Sequence, residues 1–239
     1  MVKPRLTRIV EELFAIGGNY DLAKYMEVRR KLVEFLQEED HVILSDDDKN
    51  IRLAKDLIRF IDADIVYARE TDNREVYSHI KSFLKRMMDK AESSNWNYDE
   101  LRLLVSSIHM TESIEQAETL FSKANAGIIA FKRRRLTHYL EGALVCNMIA
   151  RILDAKHFDD DVTINLADKF SSMVIWLENL VDNHKNSKYL EMLWQVTKVR
   201  RAIFNKDSNG IFELCDSLAQ YDERLKQMMI NEVDSYLAD

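Results

Sequence analysis

The stretch SDDDKNIRLAKDLIRFIDADIVYAR, residues 45–69, combines the start signal of an α-helix with its apolar periodicity. A serine followed by three aspartates offers a capping side chain and carboxylates that complement the positive end of a helix dipole. Apolar side chains then recur every three or four residues on one stripe, at Ile51, Ala54, Ile58, Ile61 and Ile65. This is the spacing of an amphipathic helix, and we expect it to reach about Arg69.

The same periodicity extends over the rest of the chain, and no segment alternates strictly between apolar and polar residues as a half-buried strand does. A first helix is expected from Pro4 until Gly17 and Gly18 end it, a second from Asp21, and a fourth from Thr71 to Lys90. Further helices are predicted over 98–110, 112–125, 131–155, 161–182, 187–205, 209–219 and 221–237. The sequence therefore predicts an all-α fold of about ten or eleven helices without a sheet.

Composition supports a helical globular protein. The 239 residues include five Gly and one Pro, where average usage gives roughly 17 and about 12. So few turn-forming residues argue against a sheet-rich fold with many tight turns. Hydrophobic residues make up 46% of the chain and charged residues 31%, which excludes disorder over most of its length. We expect a single domain over residues 1–239, built from antiparallel helical hairpins stacked in one array.

Sequence features also bear on the compartment and on the class of partner. The first twenty residues lack the charged and apolar regions of a secretory signal, and no apolar run is long enough for a membrane span. Cys146 and Cys215 each lie in an apolar helical pattern, which is typical of buried thiols in a reducing compartment. We therefore expect a cytoplasmic protein without a membrane partner. A net charge of −7 disfavours nucleic acid as the main partner.

One pair of predicted helices matches a known repeat. The tetratricopeptide spacing, W-x2-L-G-x2-Y with a later A-x3-F, is followed by Leu101, Leu104, Val105, Ile108, Ala117, Phe121 and Ala124. Residues 98–125 therefore resemble one tetratricopeptide repeat, with Ala117 where two helices approach closely. Val105 replaces the glycine of the repeat, and Ile129 replaces its final proline. A stacked array of helix pairs and an irregular helical bundle both stay open.

A second resemblance is to the 14-3-3 proteins, which are acidic helical adaptors built like a tetratricopeptide array. Residues 19–21 resemble their first turn, and residues 44–50 resemble the entry to their long third helix. The resemblance implies that Lys49 holds a phosphate, although Asp56 stands where the family has an Arg. The tripeptide at 138–140, which centres on Tyr139, occupies the context of the family's Arg-Tyr-Leu. On this resemblance the chain is a phosphopeptide-binding adaptor.

Motifs of catalysis and of cofactor binding are missing from the sequence. There is no Gly-rich phosphate loop and no G-x-S-x-G, and five scattered glycines cannot form a nucleotide cradle. The six histidines never stand at i, i+4 or in a Glu-x-x-His pair. Residues 157–161 lack the Gly and the distal Glu of a calcium loop. We predict no enzymatic activity, no cofactor and no metal site.

Two basic groups are the candidate binding residues. The first, Lys132 to Arg135, is predicted at the start of the helix over 131–155, where cations oppose the helix dipole and favour an anionic partner. The second is the stripe of Arg52, Lys55 and Arg59 on the third helix, with Asp56 and Asp62 within one turn of it. For each group, a solvated face with intramolecular ion pairs is the alternative.

These observations favour a binding module, because helical arrays present a broad surface without reactive groups. We expect a non-enzymatic adaptor that binds an acidic or phosphorylated peptide through charge-assisted hydrogen bonds. The predicted partner-binding residues are Lys49, Arg52, Lys55, Arg59, Lys132, Arg133, Arg134, Arg135 and Tyr139. Two alternatives stay open: a divergent 14-3-3-like adaptor, and a structural subunit of a larger assembly with or without RNA. The sequence also leaves a homodimer open.

Overall fold

A computed structural model describes residues 4–16, 21–40, 48–67, 73–90, 96–132, 137–158 and 165–237. Within these ranges the regular structure consists of eleven α-helices and two short 3-10 helices, and no strand is present. The prediction of an all-α fold is confirmed. The stacking of the helices into one superhelical array stays a prediction.

The chain divides into two compact units, the first ending at Leu103 and the second beginning at Leu104. The division falls inside α5 (Tyr98–Ser107). It therefore also falls inside the tetratricopeptide-like segment 98–125, although all seven matched side chains of that segment are buried. A single domain over residues 1–239 stays an untested prediction.

In the first unit, the first four helices pack consecutively, α1 on α2, α2 on α3 and α3 on α4. Their bounds are α1 (Pro4–Ile16), α2 (Leu22–Asp40), α3 (Lys49–Tyr67) and α4 (Asn73–Asp89). Each helix contributes apolar side chains that are almost fully buried, among them Leu6, Val10, Leu32, Phe35, Leu57, Ile61, Ile80 and Leu84. Arg29 also joins α2 to α3, because its Nε and Nη2 atoms donate to the two carboxylate oxygens of Asp62 at 2.7 and 3.2 Å.

In the second unit, α7 packs against α6, α8 and α9, while α10 and α11 pack on α9. The bounds are α6 (Ile114–Lys132), α7 (His138–Phe158), α8 (Leu166–Asn183), α9 (Lys188–Phe204), α10 (Ile211–Ser217) and α11 (Glu223–Leu237). Every residue of α7 from 141 to 155 is buried, apart from the half-buried Ala143 and Asn147. Asn147 and Arg151 interrupt this apolar run, and their side chains donate to the backbone carbonyls of Val105 and Glu112. α7 is therefore the central helix of its unit.

Gly142 permits a close approach between α7 and α9. A Cβ atom at this position would clash with Cδ2 of Leu190 and would lie 3.2 Å from Cδ1 of Leu193. It would also lie 3.8 Å from Cδ1 of Leu177 on α8. The absence of a side chain at Gly142 therefore sets how closely α7 approaches its neighbours.

The predicted boundary between the sixth and seventh helices is wrong. The sequence predicted a helix over 112–125, but α6 continues through Ala126 and Gly127 to Lys132. A glycine inside a helix costs about 1 kcal/mol relative to alanine, and here Gly127 and Ile128 are both buried, so packing outweighs that cost. The next helix begins at His138 instead of residue 131. Lys132 therefore ends a helix instead of lying at the start of one.

A carboxyl group is buried at the packing of α2 and α3. Burial raises the pKa of Asp64 to about 6, although a hydrogen bond with the Tyr25 side chain opposes the rise. An acid whose pKa is raised by folding stabilises the fold fully below its unfolded pKa and loses that contribution as the pH rises through the folded value. The buried carboxylate of Asp64 therefore opposes folding at neutral pH.

We expect Asp64→Asn to raise the free energy of unfolding by roughly 2–3 kcal/mol at about pH 8 and to leave it unchanged near pH 4. The amide keeps an acceptor for Tyr25 and carries no charge to bury. Urea unfolding at the two pH values measures the difference, with Asp89→Asn at an exposed site of α4 as the control. A gain of the same size at both pH values would contradict the assignment.

Candidate functional site

α3 separates a buried face from a basic face, as its sequence predicts. Lys49, Lys55 and Arg59 are exposed, and Arg52 is half-buried. The opposite face is buried through Ile51, Leu53, Ala54, Leu57, Phe60, Ile61 and Ala63. Ile58, which was predicted on the buried stripe, is only half-buried. The four predicted basic residues of α3 thus share the outer side of one helix.

α4 extends this basic face. Nη1 of Arg59 donates to Oγ of Ser82 at 2.8 Å, so the outer side of α3 continues onto α4 at Ser82. Lys81 and Lys85 are both exposed and stand four residues apart on α4, where side chains of a helix share a face. Lys85 also lies one turn beyond Ser82. We call Lys49, Arg52, Lys55, Arg59, Lys81 and Lys85 the basic ridge.

Sequence reasoning missed Lys81 and Lys85. Their four-residue spacing on a polar helix face was visible in the sequence, and is typical of many solvated helices. The bond between Arg59 and Ser82 joins α4 to the outer side of α3, and Lys81 and Lys85 are exposed residues of α4 on either side of Ser82 in sequence.

The two acidic residues within one turn of the α3 stripe form ion pairs, one of them with a residue of the stripe itself. Asp56 is 2% exposed and forms an ion pair with Nη2 of Arg86 from α4. Burial raises the pKa of Asp56, while Arg86 and then Arg59 act against that rise. Nη1 of Arg59 lies 3.7 Å from Asp56. The carboxylate of Asp62 forms an ion pair with Arg29 of α2.

Positive charge is concentrated in these two helices. α3 and α4 together contain eight Lys and Arg against five Asp and Glu, whereas the whole chain has a net charge of −7. Two of those acids, Asp56 and Asp64, are buried. Asp89 is exposed at the C-terminal end of α4. Among the described side chains of these two helices, the exposed charged residues are therefore five cations and one carboxylate.

Several cations of the ridge keep their hydrogen-bond donors available. Within the ranges given above, the guanidinium of Arg59 uses only Nη1, toward Ser82 and Asp56. Lys49 and Lys85 form no ion pair with the described residues. Nζ of Lys81 lies 5.5 Å from the centroid of the Tyr77 ring. An anion that approaches the ridge can thus reach several donors without breaking an existing ion pair.

The exposure and the ion pairs of the second predicted basic cluster, Lys132 to Arg135, are not described. Arg133, Arg134 and Arg135 lie outside the described residues, and Lys132 is placed only as the last residue of α6. Its predicted position at the start of a long helix is wrong, as stated above. A binding role for these four residues stays a prediction.

Tyr139 belongs to the second unit, whereas the ridge belongs to the first. It lies in the first turn of α7 and is 44% exposed. Its ring centroid is 4.0 Å from that of His138 and 5.7 Å from that of Tyr189, and His138 in turn stacks on His184 at 4.5 Å. Burial and the neighbouring His184 lower the pKa of His138. The surface around Tyr139 is therefore aromatic, and a binding role for Tyr139 stays a prediction.

Both cysteines are buried thiols. Burial raises the pKa of Cys146, whose Sγ lies 3.5 Å from Nη1 of Arg200, and it raises that of Cys215 to about 11. In the part of the chain that the structure describes, His, Cys, Asp and Glu do not assemble into a group of metal ligands. None of the described helices combines the length and the apolar character needed to cross a membrane.

No family model, no curated protein and no solved structure matches this chain.

Proposed function

We propose that this chain is a non-enzymatic protein-interaction module, an adaptor that binds an acidic or phosphorylated segment of a partner protein on the basic ridge. The observation that carries the proposal is the joining of exposed cations from α3 and α4 on one surface of an acidic chain. The two free cysteines are both buried, which supports a reducing compartment, and we place the adaptor in the cytoplasm.

The chemistry of the ridge suits carboxylates and phosphates. Arg59 offers a planar fork with unused donors, and lysine ammonium groups add point charges around it. An exposed ion pair contributes only about 0.2–1 kcal/mol, so several must act together to hold a partner. Binding should weaken as salt rises, because exposed charges are screened within about 10 Å at 0.1 M salt.

The proposal is tested with Lys55→Gln, Lys81→Gln and Lys85→Gln combined in one variant. Arg59 is left in place because it bonds to Ser82. We expect roughly tenfold weaker binding of a fluorescein-labelled peptide of alternating Glu and Gly, measured by fluorescence anisotropy. The affinity of the unaltered protein should also fall between about 50 and about 150 mM NaCl.

The matched control changes three exposed cations of the second unit: Lys185→Gln, Lys188→Gln and Arg201→Gln. It removes the same net charge, and we expect less than a twofold effect on binding. An equal loss in both variants would mean that only net charge matters. No binding of the peptide, or of its twin with phosphoserine in place of Glu, by the unaltered protein would refute the proposed function.

A further inference from the structure

We propose that Asn209 is a modification site, where the side chain deamidates without an enzyme and converts the turn before α10 into aspartate and isoaspartate. The proposal is independent of the basic ridge, because Asn209 belongs to the second unit. Asn209 and Gly210 form the only Asn-Gly pair in the sequence. They lie between the end of α9 at Phe204 and the start of α10 at Ile211.

The reaction needs water as its only other reactant. The backbone nitrogen of Gly210 loses its proton and bonds to Cγ of Asn209, the bond from Cγ to Nδ2 breaks, and ammonia leaves. The product is a five-membered succinimide ring, which water then opens at either carbonyl. Cleavage of the new bond to Cγ leaves aspartate. Cleavage of the bond to the backbone carbonyl leaves isoaspartate, in which the chain continues through Cγ.

The backbone nitrogen of Gly210 is available for this attack. Gly210 is the N-cap of α10, with a φ of 71°, so its N–H precedes the hydrogen bonds of that helix. Among the described residues this N–H has no acceptor. A Cβ atom added at Gly210 would meet only Oε2 of Glu213, at 3.7 Å. The nitrogen therefore lies in open space and lacks the side chain that any other residue would place beside it.

The side chain of Asn209 is free to present its Cγ atom. The residue is exposed, and its side-chain amide bonds to none of the described residues. Its backbone N–H donates to Oδ1 of Asp207 at 3.1 Å, which holds the turn without engaging Cγ or Nδ2. The amide group can therefore rotate until Cγ faces the nitrogen of Gly210.

Asn186 provides a comparison within the same unit. It is also exposed and directly precedes the N-cap of a helix, which is Ser187 at the start of α9. The N–H of Ser187, however, donates to the carbonyl of His184 at 2.9 Å, and the serine side chain stands beside the nitrogen. Of the two sites, only Asn209 combines an exposed amide with an unused and unshielded backbone nitrogen.

Modification at Asn209 also acts on α10. The backbone beyond α9 is held as far as Asp207, whose N–H donates to the carbonyl of Ala202 at 2.9 Å, and Ile211 at the start of α10 is fully buried. Isoaspartate adds one backbone carbon between these two fixed points, and either product places a new carboxylate close to Asp207. We therefore expect α10 to open more readily in the modified chain.

The test incubates the folded protein at mildly alkaline pH and body temperature, beside a synthetic peptide of residues 205–215. Peptide mass spectrometry and methylation by a protein-isoaspartate methyltransferase measure the products. We expect Asn209 to react within about threefold of its rate in the peptide and at least roughly tenfold faster than Asn186, a difference of about 1.4 kcal/mol in activation free energy. Asn209→Gln should form no product there, because its longer side chain does not close the five-membered ring.

Hydrogen exchange of residues 211–217 then compares the fresh and the incubated protein. We expect faster exchange after incubation, and no change in the Asn209→Gln variant treated in the same way. Conversion at Asn209 that is more than roughly tenfold slower than in the peptide would show that the fold protects this residue, and the site would be refuted. Equal rates at Asn209 and Asn186 would contradict the role assigned to the Gly210 nitrogen. Unchanged exchange in the modified chain would refute the effect on α10.

Discussion

Arg200→Met is expected to lower the free energy of unfolding by about 3 kcal/mol, because it breaks a partly buried ion pair and leaves one charge without its partner. Arg200 on α9 is 8% exposed. Its Nε and Nη2 atoms donate to the two carboxylate oxygens of Glu232 on α11 at 2.7 and 3.1 Å. Its Nη1 atom donates to the backbone carbonyl of Cys146 on α7 at 3.2 Å. One guanidinium thus connects three helices of the second unit.

The expected loss comes mainly from the carboxylate of Glu232, which would stay in a partly buried site without a counter-ion. Urea unfolding followed by circular dichroism measures it. In the double variant Arg200→Met with Glu232→Met, no charge is left to bury, and most of the stability should return. Arg201→Met, at the exposed neighbouring position, should change stability by no more than about 0.5 kcal/mol. A double variant no more stable than Arg200→Met would show that the ion pair is not the cause.

The second large effect is expected at Gly142. Replacing it with Leu places a side chain where even a Cβ atom clashes with Leu190. Overpacking a close-packed interior costs about 1–3 kcal/mol and sometimes more, and we expect Gly142→Leu to reach at least about 3 kcal/mol because a whole side chain must be accommodated. Gly142→Ala should cost less, since the better helix propensity of Ala offsets part of the strain.

Thermal unfolding measures the loss of stability, and a control variant distinguishes overpacking at Gly142 from an effect of helix propensity. Ala167→Leu introduces the same side chain at an exposed position of α8 and serves as the control. We expect the control to change stability by no more than about 0.5 kcal/mol. If Gly142→Leu and the control changed the free energy of unfolding by the same amount, α7 and α9 could move apart without a loss of stability.

The fold class and the faces of α3 follow from local pattern, since apolar spacing alone indicates which side of a helix faces the core. The end of α6 does not follow from local pattern. Gly127 is a helix-breaking signal in sequence, and its burial inside α6 overrides that signal. This error moved Lys132 from the end of one helix to the start of another.

The candidate site was predictable only in part for the same reason. Helical periodicity places Arg52, Lys55 and Arg59 on one face, because their positions depend on a single helix. The partners of Asp62 and Arg59 lie on other helices, 33 and 23 residues away. The neighbourhood of Lys85 likewise depends on how α4 packs on α3. These contacts depend on how the helices pack on one another, and the sequence of a single helix does not determine that packing.

The enclosure of α7 has a consequence for how the second unit opens. Its backbone amides from 141 to 155 lie among buried residues, so hydrogen exchange there requires the unit to unfold as a whole. Short α10 and the C-terminal α11, with many exposed residues, can open at lower free energy. Proteases in a cell would therefore gain access first through the C-terminal helices, and α7 would be the last segment of this unit to become cleavable.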